Sequence, residues 1–442
     1  MRKVGPKGFV LALTLFLILI LSLVAFGALS LATLDTRSAR QDYAGARALY
    51  AARAGVSRAM DELATNYSWS SGSGLLTADA DQEAYTVSVV PAPDNPSRSE
   101  KLWRVTSVGS CEGAQRRVEA ILQLESFARF IFFTNREFTT SGTPIYFITQ
   151  DRLDGPVHTN GYYSISGHPR FADRMTSANS GDSLFNATNF TYHQEGIQTD
   201  PARFYHTHTG YASDSPVALD SSPRFSFAGG QNAITMPLDT GQIKSVADHS
   251  YSGTIEFQFR DNGTVLVRRR TGNGWRNVET IPSDTLPGVT LHVNGELYAS
   301  GTVKGRVTVG ATKTVHLNGD LVYADPSRDV LGLVGQQDIL VESSSTQRRD
   351  RYVHGVMMAL NGSFRVPDYD SGVPRGVLHV FGGIVQSTRG AIGTFSGSTV
   401  STGYSKNYIY DEKLPSTPPL NFPTTGNLQI QSLIDRGSLG GS

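Results

Sequence analysis

Met1-Arg-Lys-Val-Gly-Pro-Lys-Gly8 runs without a break into Phe9-Val-Leu-Ala-Leu-Thr-Leu-Phe-Leu-Ile-Leu-Ile-Leu-Ser-Leu-Val-Ala-Phe-Gly-Ala-Leu-Ser-Leu-Ala-Thr-Leu34, an uncharged stretch of 26 residues. As a helix it measures about 39 Å at ~1.5 Å per residue, enough to cross a bilayer with some tilt. Arg2, Lys3 and Lys7 precede it and no acidic residue does. The positive-inside rule therefore keeps the N-terminus in the cytoplasm and sends the rest of the chain outward across the inner membrane. A cleaved secretory signal has a shorter apolar core, about 7 to 15 residues.

Helical composition continues past the apolar run, through Asp35 to Leu63, rich in Ala, Arg and Leu and free of proline. One helix half in lipid and half amphipathic is far longer than a usual globular helix, so it needs a partner along its length. After a Ser/Gly-rich connection, three alternating runs read as strands: Ala84–Val90, Leu102–Val108 and Gln115–Leu124. Their apolar face is what a small sheet needs to pack on the helix.

The basic leader, Gly8, Phe9, the long apolar helix and Ala48-Leu-Tyr-Ala-Ala-Arg-Ala-Gly-Val56 resemble the N-terminal signal and helix of type IV pilin-like proteins. The nearest pattern is a minor-pilin subgroup with an aromatic-Ala-Ala-Glu-Ala-Gly stretch. Trp103-Arg-Val-Thr-Ser-Val-Gly109 and Arg116-Arg-Val-Glu-Ala120 fit the same pattern. The resemblance covers about residues 1 to 125. It implies a prepilin peptidase as partner, cleavage between Gly8 and Phe9, N-methylation of Phe9, and packing of the helix against other pilin subunits in a filament. Two positions depart from it. Shaft-forming members carry Glu at the fifth mature position, where this chain has Leu13, and Arg53 stands where the subgroup has Glu. A carboxylate buried in lipid is tolerated only when paired, so in shaft subunits it acts as an assembly register. A subunit with Leu13 makes no such pair, which the family places at or near the tip.

From residue 126 the helical periodicity disappears and short apolar-x-apolar runs recur around glycines, among them Gly295, Gly305, Gly319, Gly335, Gly362 and Gly382. The spacing is irregular and suits an imperfect right-handed β-solenoid with glycines at its corners; a β-sandwich is the competing arrangement. The fold class expected is thus α+β. A transmembrane helix (9–64) follows the leader (1–8), packs on a small antiparallel sheet (65–125), and leads into a large all-β head (126–414). A Pro/Gly-rich tail (415–442) is expected to be loosely ordered.

Tyr251–Arg260, Thr264–Arg270 and Trp275–Ile281 read as a three-stranded meander (251–281), able to project as a separate lobe, with Asn273-Gly274 as a tight turn. Its tip gathers Arg268, Arg269, Arg270, Trp275 and Arg276, the strongest local candidate for contact with nucleic acid, since arginines neutralise phosphates and an exposed indole stacks on a base. Arg348, Arg349 and Arg351 form a second cluster. A pilin module bearing a large β head also resembles competence minor pilins of the ComZ type, which implies DNA uptake; surface adhesion is equivalent from sequence.

Formal charge is zero, and loss of the leader leaves acidic residues in slight excess, so any nucleic-acid binding has to come from a local patch. Cys111 is the only cysteine, which excludes an intramolecular disulfide. No cofactor, metal or enzymatic activity is implied. His206 and His208 have same-face strand spacing but no third ligand at a signature distance. The reading from another class, a membrane-anchored β-helical polysaccharide enzyme, has only Asp368, Asp370 and Arg375 as a compact polar group.

Overall fold

The computed structural model describes residues 6–438 except 77–82, 93–101, 140–141, 143–144, 149, 162, 164, 167–168, 179–189, 194–204, 209–216, 219–226, 229–230, 273, 347 and 397–398. The chain forms two units, Met1–Gln123 with Leu428–Ser442, and Leu124–Asn427.

The first unit is built on one unbroken helix, α1, from Pro6 to Thr65. Its first half is long and apolar enough to cross a membrane. Large apolar side chains from Val10 to Leu34 are 44 to 72% exposed, so none of the described residues covers them. The second half buries Ala44, Ala48, Ala51, Ala52, Val56, Ala59 and Leu63, a stripe at helical spacing. That stripe packs on β3 (Leu102–Cys111), β2 (Ala84–Pro91) and β1 (Ser71–Leu75), which with β4 (Ala114–Ser126) form a sheet of antiparallel neighbours in the order β1, β2, β3, β4. In β3 every second residue is buried, which puts Trp103, Val105, Ser107, Gly109 and Cys111 in one row. Gly109 is required by close approach: a Cβ there would lie 2.0 Å from the carbonyl oxygen of Ala48. Small residues on both surfaces let the helix and strand backbones touch, and Cys111 is part of that buried row.

The sheet has a fifth strand, Thr424–Ser438, beside β4. Arg436 Nε donates to Glu119 at 3.0 Å and Gln431 bonds Gln123. The expected loose tail is thus corrected. Residues 415–423 cross the second unit, where Arg306 donates to the Pro418 carbonyl at 2.8 Å and Phe422 packs on Gly332, and the remainder completes the sheet. A proline-rich segment has few N–H groups to satisfy, which suits it to a strap outside any ladder.

In the second unit, Val289–Asn294, Arg306–Ala311, Val330–Gly335, Arg351–Ala359 and Pro374–Thr388 pair in parallel, each with the next. Between them in sequence lie Leu297–Val303, Val315–Tyr323, Ile339–Val341 and Phe364–Arg365, which pair among themselves, also in parallel. Each strand therefore bonds to the strand two further on, a pattern that excludes an antiparallel sandwich. Register places Leu291, Val309, Leu333, Met357 and Ile384 in one inward column. The column then continues through Phe132, Val157 and Met175, from the start of the unit. Gly295 and Gly305, between strands, and Gly382, within Pro374–Thr388, take positive φ; Gly319, Gly335 and Gly362 do not. The meander is corrected from a separate lobe to part of this stack, because Ile255–Arg260 pairs in parallel with Leu297–Val303.

The strands of the first column have apolar outer faces too. Val330, Val334, Val356, Met358 and Val385 form a second core with Met236, Ile243, Leu414 and Phe422, contributed by the segments that lie over them. His158 belongs to this layer: its ring stacks on Phe133 at 5.3 Å, Nε2 bonds Asn160 Oδ1 at 3.0 Å and Nδ1 bonds Thr176 Oγ1 at 2.7 Å. Asn160 Oδ1 only accepts, so Nε2 carries the proton of the neutral ring. Burial, aided by the charges of Arg129 and Arg174, pushes its pKa down to about 4, against the Asn160 hydrogen bond. Below the ordinary value of about 6.5 the unfolded chain takes up a proton that the folded chain refuses until about pH 4. Stability is expected to fall as pH drops from 6.5 to 4 and level off below, by at most about 3 kcal/mol. Denaturant titrations across this range check it: His158→Gln must flatten the slope, and an unchanged slope rejects the assignment.

Candidate functional site

Gly8 and Phe9, the expected cleavage and methylation pair, lie within the first turns of α1, which begins at Pro6. The side chain of Phe9 and residues 1–5 lie outside the described residues. Leu13 is exposed on the uncovered apolar half, as is Tyr50 farther along the helix, while Arg53 projects from the edge of the buried stripe.

The basic hairpin is formed by Thr264–Thr271 and Gly274–Pro282, antiparallel, with Arg269 opposite Arg276 and Arg270 opposite Trp275. Asn273, in the turn, lies outside the described residues. The continuous register with Ile255–Arg260 sets Arg268 opposite Glu256, while a shift between Val267 and Arg268 leaves Val278 of the second strand as the extra residue. Arg268 turns inward and ion-pairs with Glu256, which is 3% exposed and also accepts from Asn318 Nδ2 at 2.9 Å. Trp275 is half-buried, with the guanidinium carbons of Arg268 and Arg270 at 5.7 and 6.0 Å from its ring and Tyr298 edge-on at 5.3 Å. Tyr298 in turn stacks on His316 at 4.4 Å, and His316 bonds Glu342 at 2.7 Å. One face of the hairpin is thus an internally satisfied ladder. Across the strands, Arg269 and Arg276 are exposed, adjacent and without an acidic partner among the described residues. Like charges directly opposite one another destabilise a sheet unless an anion sits between them.

The structure thus divides the five predicted residues: Arg269 and Arg276 are exposed with no acidic partner among the described residues, Arg270 lies over Trp275 and bonds Tyr298, Arg268 is committed to Glu256, and Trp275 is packed among its neighbours. Of the second cluster, Arg349 pairs with Asp320 at 3.0 Å, and Arg351 is buried with Nη2 donating to the Leu317 carbonyl at 2.9 Å. Asp368 and Asp370 are exposed, whereas Arg375 is 1% exposed and donates to the Pro367 and Asp368 carbonyls and to Ser343 Oγ. That group is a loop wrapped around a guanidinium; its carboxylates and its base do not converge. The side chains of His206 and His208 lie outside the described residues, and among the described residues no three His, Cys, Asp or Glu side chains are grouped to hold a metal ion.

Removing Arg268 leaves Glu256 buried and uncompensated. Arg268→Ala is expected to cost roughly 2 to 3 kcal/mol, less than a fully buried pair because the arginine is partly exposed. Arg269→Ala and Arg276→Ala are expected to stay within about 0.5 kcal/mol. Thermal melts of the three variants separate them, and equal losses would contradict the Arg268–Glu256 pairing.

Residues 101–180 match a family model described only as a domain of unknown function, DUF4900. No curated protein matches the chain. The crystal structure of the competence-associated pilin ComZ from Thermus thermophilus is similar over 89% of this chain and 98% of that one, with 14% identity and a TM-score of 0.32. At that distance the likeness establishes neither fold nor function.

Proposed function

We propose that this chain is a non-enzymatic minor subunit of a type IV pilus or a related secretion or competence filament, seated at or near the tip and presenting its β head for binding. The observation that carries the reading is α1: an apolar half from Val10 to Leu34 without cover among the described residues, continuous with a half that packs on a small antiparallel sheet. Before assembly the helix holds the protein in the inner membrane with its N-terminus inside; prepilin peptidase cuts after Gly8 and Phe9 is methylated; other pilin subunits then cover the apolar half. Leu13 in place of a carboxylate supports a position with no subunit ahead. Inserted between β4 and Thr424–Ser438, the head is an irregular solenoid displayed outside the cell. Its ligand is DNA during uptake, or a surface polymer, and the unpaired Arg269 and Arg276 favour DNA.

Two measurements test this. The N-terminal mass in cells with and without prepilin peptidase is expected to change from a chain starting at methylated Phe9 to the uncut form; Met1 retained in both would reduce the protein to a plain membrane anchor. For DNA, replacing Arg269, Arg270 and Arg276 by Ser is expected to weaken binding and to reduce the log–log salt slope by about 2 to 3, one counterion per lost phosphate contact. Binding unchanged by the triple replacement removes the hairpin as the site, and no binding by the parent chain leaves adhesion.

A further inference from the structure

A cavity of about 310 Å³ lies inside the second unit, where residues 132–153 meet residues 364–408. Phe132, Phe147, Leu153, Ile384, Ile392 and Phe395 give it a mainly apolar wall. Two ion pairs hold that wall apart. Arg389 pairs with Glu137 at 2.6 Å, both at most 3% exposed, and Lys406 pairs with Asp151 at 2.7 Å. Their partners are 252 and 255 residues apart in sequence, so each pair ties the start of the unit to its last strands. Arg389 also donates to the Ile145 and Tyr146 carbonyls and lies 3.7 Å from the centre of the Phe147 ring. Every buried charge at the cavity is thus cancelled within the protein, and a charged guest would have to break a pair.

Uncharged polar groups remain on the wall, Tyr408 among them. Tyr408 lines the cavity, and its hydroxyl has no hydrogen-bond partner among the described residues. Burial and the charge of Asp151 push its pKa well up, so it stays protonated and able to donate. A mainly apolar wall with a few polar groups, one of them an uncommitted hydroxyl, is the composition of a small-molecule pocket.

We propose that this cavity is a binding site for a small, neutral, mostly aromatic molecule with one hydrogen-bond acceptor, held by the apolar wall and oriented by Tyr408. The proposal is independent of the filament reading. The test is ligand-observed ¹⁹F NMR on the full chain in detergent, with empty micelles as reference and two probes, 4-fluorobenzamide, which has an acceptor, and fluorobenzene, which has none. Saturable one-site binding of 4-fluorobenzamide above the micelle background is expected. Tyr408→Phe should weaken it about fivefold, the loss of one neutral hydrogen bond, and leave fluorobenzene unchanged. Ala391→Trp, which puts an indole into the cavity, should abolish both. The proposal is overturned if neither probe saturates, if Tyr408→Phe leaves 4-fluorobenzamide unaffected or shifts both probes alike, or if binding survives Ala391→Trp in a variant with a parental melting curve. Should Ala391→Trp fail to fold, the Tyr408→Phe contrast decides.

Discussion

The Phe127 N–H donates to the carbonyl of Pro423 at 3.1 Å, and Ser126 Oγ bonds the same oxygen. The larger unit therefore begins and ends at one point, as it must to be inserted between β4 and the neighbouring strand Thr424–Ser438. A stack of parallel strands built in simple chain order has its ends a stack-length apart. This chain meets the constraint by permuting the stack. Its first strand, Phe132–Arg136, pairs with Pro374–Thr388, and the next, Val157–Thr159 and Met175–Ser177, follow on the far side. The chain later re-enters at the opposite end, with His249–Ser252 against Val289–Asn294, and returns strand by strand to the junction. The buried pairs Arg389–Glu137 and Lys406–Asp151 cross that junction. Where continuous chain would otherwise link neighbouring strands, ion pairs and the Ile384–Phe132 contact do so here.

That permutation explains what the sequence conceals. Helix α1 and strands β2 to β4 are local: their apolar residues recur at helical or alternate spacing, and each strand pairs with the next. In the larger unit the neighbour of Ile384 is Phe132, and no local period encodes a partner so far away. Alternation fails as well, because Val330-Leu-Gly-Leu-Val-Gly335 is buried on both faces, inward against the interior of the stack and outward beneath Leu414 and Phe422. The covering strap reads as a loose tail because its prolines exclude a ladder, yet exclusion from a ladder is compatible with dense packing, as Pro418 and Phe422 show.

The hairpin was legible as an element and only partly as a site. Three consecutive arginines give alternating faces in any strand, but which of them meets Glu256 is set by the register with Ile255–Arg260, which puts Arg268 directly opposite it. Glu256 is itself fixed by register with Tyr298, four strands on in sequence. A run of basic residues signals charge density; the number of charges left for a ligand depends on a buried carboxylate that the run does not contain. Sequence offered no signal for the cavity, whose walls come from opposite ends of the unit.

Along α1 the same reasoning runs in the other direction. Between Ala44 and Leu63 the helix is held by small residues against a sheet that its own chain supplies, so contact there is settled within the protein. From Val10 to Leu34 nothing is settled, and lipid or other apolar helices are equivalent covers by hydrophobicity alone. A buried carboxylate in this half would distinguish them, since it is stable only beside a positive partner, and at the fifth position after Gly8 this chain has Leu13. Without that charge, the apolar half can sit in lipid or against any helix with little preference of register. On the proposed reading, position in a filament must then be specified beyond the membrane, by the charged second half of α1, by the sheet, and by a bulky head that limits what can stand in front of it.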